Sequence, residues 1–178
     1  MKTLLALLLA TASATYDFPA ARTTVEFTLD STLHTVHGTF AWKHGSLRLD
    51  PATGAAEGEL VVYATSAQSG DGGRDKKMRN EILETAKYPE ITFRAEGLEG
   101  TLPAQGKSAI KLRGVFSIHG GQHEMTVPVD VTGTGGRYDA TARFEIPYIE
   151  WGMKNPSTLF LRASKTVVVT VHTVVAGS

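Results

Sequence analysis

The chain has 178 residues, the size of one compact domain. Its 18 Lys and Arg balance 18 Asp and Glu, so the basic excess of a typical nucleic-acid binder is missing. With no cysteine, disulfide staples, Cys-ligated zinc, iron–sulfur clusters and a thiol nucleophile are excluded, and stability has to come from a hydrophobic core.

Residues 1–14 read as an export signal. Lys2 supplies the positive n-region, Leu4 to Ala10 a short apolar run, and Ala12-Ser13-Ala14 the small-x-small pattern before a cleavage point; Ala10-Thr11-Ala12 is an equally legal site. The run is far shorter than the about 20 apolar residues that span a bilayer. The mature chain, 15–178, is therefore expected to be a periplasmic or secreted single domain that does not span a membrane.

From there the pattern has period two. Val25, Phe27 and Leu29 alternate with Thr24, Glu26 and Thr28, and Val36, Gly38, Phe40 and Trp42 with His37, Thr39, Ala41 and Lys43. The same holds for Ile91 and Phe93, for Ile110 to Ile118, for Met125 to Val131, and for Tyr138 to Ile146. Such alternation marks half-buried antiparallel strands. Glu59–Ser66 and Thr166–Val175 are apolar on both faces, which predicts cover by a helix or a subunit contact and leaves room for a homodimer. Turns fall at Asp50-Pro51-Ala52-Thr53-Gly54, His119-Gly120-Gly121-Gln122 and Gly133-Thr134-Gly135-Gly136. One short α-helix is expected over Arg74–Leu83, where Met78 and Ile82 lie four apart; Tyr88-Pro89 ends that unit.

The resulting fold class is all-β. Seven or eight strands joined in series hide their edges best by closing into an antiparallel barrel, with a sandwich as the alternative. The inward set mixes Gly38, Gly114, Ala140 and Ala142 with large aromatics, compatible with a channel or with a filled taper. The lining expected for a ligand is Phe27, Phe40, Trp42, Phe93, Leu112, Phe116, Phe144 and Trp151.

No catalytic constellation is visible. There is no Gly-x-Ser-x-Gly, no Ser beside a recognisable His base, and the Gly-rich stretches lack the context of a phosphate loop. The chain is read as a non-enzyme without cofactor or metal. His34 and His37, three apart, point to opposite faces of a strand. His119 and His123 flank a turn and could meet across a hairpin, and His172 among valines reads as a hydrogen-bonded core or interface residue. Arg74, Lys76, Lys77 and Arg79 form a local basic run. Trp151-Gly152-Met153, an apolar loop after Pro147, is a candidate plug or portal at a barrel end.

The motifs Gly38-Thr39-Phe40, Ala64-Thr65-Ser66, Arg74-Asp75 with Met78, Tyr88-Pro89-Glu90-Ile91-Thr92-Phe93, Leu112-Arg113-Gly114-Val115-Phe116-Ser117-Ile118-His119-Gly120 and Trp151-Gly152-Met153-Lys154-Asn155-Pro156 follow one another in that order. Together they resemble the YceI-like family of exported, polyisoprenoid-binding or lipid-binding bacterial proteins. The resemblance implies an extended eight-stranded lipocalin-like barrel with a helix laid over one side, an isoprenoid or similar lipid in the lumen, and dimers. The chain departs from the family at Phe18 to Thr24, where neither His nor Ser stands in place of the usual Asp-x-x-His-Ser, so no role of that pair transfers.

Overall fold

The computed structural model describes residues 13–158 and 162–177; residues 1–12 of the expected export signal lie outside that range. Nine strands form one antiparallel sheet: β1 (Ala14–Asp17), β2 (Thr23–Leu29), β3 (Val36–Asp50), β4 (Ala55–Gln68), β5 (Glu90–Glu99), β6 (Gln105–Ile118), β7 (Gly121–Thr134), β8 (Arg137–Ile146) and β9 (Val167–Ala176). A β3–β4 pairing joins the two arms of the sheet, so β2 to β9 close into an eight-stranded barrel. The extra strand, β1, pairs with β3 over Ala14↔Leu49 to Asp17↔Ser46, while β2 pairs with the other half of the same edge, Val25↔Phe40 to Leu29↔Val36. β1 and β2 thus run in line, interrupted by the 3-10 turn Ala20–Arg22.

The two barrel ends differ. Segments 51–54, 100–104 and 135–136 connect strands at one end with short turns. At the other end lie 30–35, 119–120, the long connection 69–89, and the described parts of the β8–β9 connection, 147–158 and 162–166. Register shifts in β3 at Thr39/Ala41 and Trp42/His44, and in β5 at Ala95/Gly97, bend the wall as closure requires.

The helix sits in the 69–89 connection. α1 (Gly72–Lys77) starts at Asp71, whose side chain accepts from the Arg74 backbone N–H at 2.8 Å. It continues into a wider π turn, Met78–Ile82. The buried Asp75 carboxylate accepts from the Ser69 backbone N–H at 2.8 Å and from Ser69 Oγ at 2.5 Å, tying the helix to the end of β4. Met78, Ile82 and Leu83 point into the barrel interior. The helix therefore lies against β4 at one end of the barrel, with its apolar side chains at the cavity.

On β9, Val167, Val169, Val171 and Val175 face inward, while Val168 is half-buried between Thr28 and Glu145 of its strand neighbours. On β4, Val61 is 1% exposed, and Tyr63 is 40% exposed with the Lys43 ammonium 5.6 Å from its ring centroid. The helical connection packs on β4, with Ala64 N–H donating to the Pro89 carbonyl at 2.9 Å.

The barrel lumen as candidate functional site

Alternation turns one face of every barrel strand inward, and the inward side chains enclose a cavity of about 240 Å³. Among the described residues, none that lines it carries a charge. Seven of the residues read as lining do line it: Phe27 from β2, Phe40 and Trp42 from β3, Phe93 from β5, Leu112 and Phe116 from β6, and Phe144 from β8. The polar handles of the wall are engaged elsewhere. Trp42 Nε1 donates to the Phe18 carbonyl at 2.9 Å, Tyr148 Oη donates to the Ser164 carbonyl at 2.7 Å, and the Thr23 and Thr173 hydroxyls pair at 2.9 Å. Burial raises the Tyr148 phenol above its ordinary pKa. Burial, followed by the neighbouring Tyr138 phenol, does the same to Tyr16. The lumen is thus neutral and largely apolar, suited to an apolar chain and poor at holding an ion.

Trp151 does not line the cavity. Its ring lies parallel to the His123 imidazole, with centroids 3.8 Å apart and planes at 4°, and 5.9 Å from Phe116. The small residues divide into two kinds. At Gly38 an added Cβ would stand 2.2 Å from Phe27 Cζ, and at Gly114 it would stand 2.2 Å from the Arg94 carbonyl oxygen and 2.8 Å from Phe93 Cζ. Aromatic rings lie across these glycines, so the glycines open no channel. Ala140 and Ala142 of β8, by contrast, border the free space directly.

Sequence reasoning placed the Trp151-Gly152-Met153 loop at a barrel end but missed the part that the helical connection plays in closing it. Met78, Ile82 and Leu83 from the helical connection, with Tyr148 and Met153 from segment 147–166, complete the lining. The i, i+4 spacing of Met78 and Ile82 signalled an apolar stripe, but not what it would cover. The β2–β3 and β8–β9 connections are laced together, with Thr32 N–H donating to the Arg162 carbonyl at 3.0 Å and Ser164 N–H to the Asp30 carbonyl at 2.7 Å.

The histidines do not assemble. His119 Nε2 meets Glu84 Oε2 at 2.7 Å, and its ring packs on Tyr88 at 5.2 Å. These two partners are the described non-glycine residues with positive φ, 51° and 47°. His123 turns away under Trp151, so the pair does not meet across the hairpin. His37 Nδ1 lies 3.2 Å from Thr28 Oγ1, and His34 occupies a turn capped by Ser31. His172 is half-buried on the outward face of β9, with Nε2 3.1 Å from Asp139 Oδ1. Among the described residues no group of three or more His, Asp or Glu could hold a metal ion. Within the basic run, Arg74 donates to Ser69 Oγ at 2.7 Å and Arg79 to the Ala67 carbonyl at 2.7 Å; both are anchors of the helical connection.

Desolvation lowers the pKa of His123 from its ordinary value. The folded protein therefore resists a proton that the unfolded chain accepts below about pH 6.5. Between those two pKa values the unfolded state binds more protons, so stability should fall as pH drops from 7 to 5. In His123→Gln this part of the decline should vanish. Melting temperatures of both proteins across that range measure it, and parallel pH profiles would refute the assignment.

A family model for the YceI-like domain matches residues 16–175. The chain belongs to the YceI-like family. Solved structures share the YceI-like fold at low identity. A polyisoprenoid binding domain from Saccharophagus degradans implicated in plant cell wall breakdown aligns with TM-score 0.72 at 18% identity, covering 92% of this chain and 98% of that one. BcnA of Burkholderia cenocepacia aligns with TM-score 0.72 at 18% identity, over 89% and 99% of the two chains. The Campylobacter jejuni YceI protein aligns with TM-score 0.65 at 16% identity, over 83% and 87%. No curated protein matches the sequence. Among the described residues no helix is long and apolar enough to cross a membrane.

Proposed function

We propose that this YceI-like protein is an exported, non-catalytic carrier that buries the chain of one isoprenoid or similarly slim lipid in its barrel lumen. The observation that carries this reading is a closed barrel whose cavity is walled, among the described residues, without a single charged one. Removing a hydrocarbon chain from water is worth about 0.8 kcal/mol per CH₂ before ordering costs, so such a wall binds by exclusion of water rather than by a hydrogen-bond network. The polyisoprenoid binding domain of Saccharophagus degradans shares the fold and supports the ligand class. Export rests on Lys2, the apolar run after it and the Ala12-Ser13-Ala14 site. A homodimer would use the outer faces of β4 and β9.

A second reading is an interaction module with a filled barrel, acting through its surface or dimer face. The modest cavity favours it, since small-molecule sites usually offer about 300–1,000 Å³. Native mass spectrometry of the mature protein from its own host, followed by organic extraction, separates the two. A stoichiometric lipid adduct released by extraction is the expected result. An adduct-free mass with no uptake of added isoprenoids or quinones would replace the carrier by the module.

A further inference from the structure

The barrel wall is not continuous. The β7–β8 ladder runs from Thr134↔Arg137 to Val129↔Ala142 and stops, although β7 continues back to Gly121 and β8 on to Ile146. The next residue of β7 is Pro128, which has no N–H to extend the ladder. The outer partners of both strands hold on: β6 pairs with β7 to Ile118↔Gly121, and β9 pairs with β8 to Ile146↔Val167. The two strands therefore part along a seam at the end of the barrel that carries the helix.

His123 stands at this seam. It shares the inward parity of Val127 and Val129, yet it does not reach the cavity, because Trp151 covers it and packs against Phe116, its cross-strand partner. Its Nε2 is the one buried side-chain nitrogen or oxygen among the described residues that has no hydrogen-bond partner. Leaving such an atom unpaired is costly, and an orphan in an otherwise satisfied interior calls for a ligand. The inward side chains around the seam, Phe116, Met125, Phe144 and Trp151, are all uncharged, so an anionic head would be buried without a counter-charge. Trp151 sits on a turn, held by Trp151 N–H to the Pro147 carbonyl at 3.0 Å, so its ring can leave the imidazole without breaking a strand ladder.

We propose that His123 Nε2 anchors the neutral oxygen head, a hydroxyl or a carbonyl, of the lipid whose chain fills the lumen, and that the head reaches it at the β7–β8 seam as Trp151 swings aside. This rests on the carrier reading above and adds to it the chemistry of the ligand's polar end. A neutral imidazole serves either head: its bare nitrogen accepts from a hydroxyl, or its N–H donates to a carbonyl.

The test uses two probes with one carbon skeleton, the alcohol farnesol and the hydrocarbon farnesene, titrated calorimetrically into the mature chain. Wild type should bind farnesol about fivefold to tenfold more tightly than farnesene, the worth of one net hydrogen bond. His123→Phe keeps the ring stack and should bind both probes within about twofold. His123→Gln, which retains a donor and an acceptor, should restore the preference. Equal affinities in wild type, or a preference that survives in His123→Phe, overturn the proposal while leaving the carrier reading intact. Binding of neither probe overturns both. Farnesyl diphosphate should bind more weakly than farnesol, and tighter binding would overturn the neutral head. If His123→Phe does not fold, the wild-type ratio decides alone: near unity overturns, fivefold or more supports.

Discussion

A chain carrying Ala140→Leu together with Ala142→Leu is expected to unfold at or above the wild-type temperature and to bind an isoprenoid probe at least tenfold more weakly. Both alanines border the cavity from β8, paired to Val131 and Thr173 and to Val129 and Val171 respectively. Each substitution adds three apolar carbons to space that is otherwise free, and filling an apolar cavity commonly stabilises by about 0.5–2 kcal/mol. The same carbons compete with the ligand. Each ligand CH₂ that can no longer be buried forfeits about 0.8 kcal/mol, so displacing two of them already accounts for a tenfold loss, which corresponds to about 1.4 kcal/mol. Stability and affinity thus move in opposite directions, which simple damage to the fold would not produce. Thermal unfolding and titration on one preparation read both. A folded, stabilised variant with unchanged affinity would move the ligand out of the lumen.

Gly114→Ala should destabilise the barrel by about 3 kcal/mol, the upper part of the range for overpacking. For a domain of this length that lowers Tm by roughly 6–12 °C. The new Cβ would stand 2.2 Å from the Arg94 carbonyl oxygen and 2.8 Å from the Phe93 ring. The ring can rotate, but the carbonyl belongs to the β5–β6 ladder, where Ala95 faces Gly114. Relief therefore requires moving a strand. Gly72→Ala is the control, because nothing lies within 4 Å of the added carbon and the site is the first residue of α1; it should leave Tm unchanged or slightly raised. A Gly114→Ala protein as stable as wild type would mean that β5 and β6 are spaced more loosely than described.

These glycines also show how far sequence reading reaches. The inward parity of Gly114 follows from its alternation with Leu112 and Phe116, and that much was legible. Whether the missing side chain left a hole or a seat for a neighbour was not, because the answer depends on the Phe93 ring and Arg94 carbonyl of β5, set by cross-strand register. The same holds for Trp151. An apolar loop after Pro147 was recognisable as a plug or portal element, but its stacking on His123 joins two segments whose mutual placement no local pattern encodes. His123 itself drew notice only as a neighbour of His119, and its orphaned nitrogen could be found only once every other partner had been placed.

The sequence by itself determined that this protein is built of antiparallel strands, which face turns inward on those that alternate, and that one helical insert interrupts them. Those are properties of period two and period 3.6, and they need no knowledge of distant residues. Tertiary structure alone decided that the ring closes through β3–β4, that the helix stops the barrel end, that aromatic rings leave about 240 Å³ free, and that the wall parts beyond Val129↔Ala142. Closure, register and residual volume are sums over contacts between residues far apart in the chain, where a shift of one position turns every side chain to the opposite face.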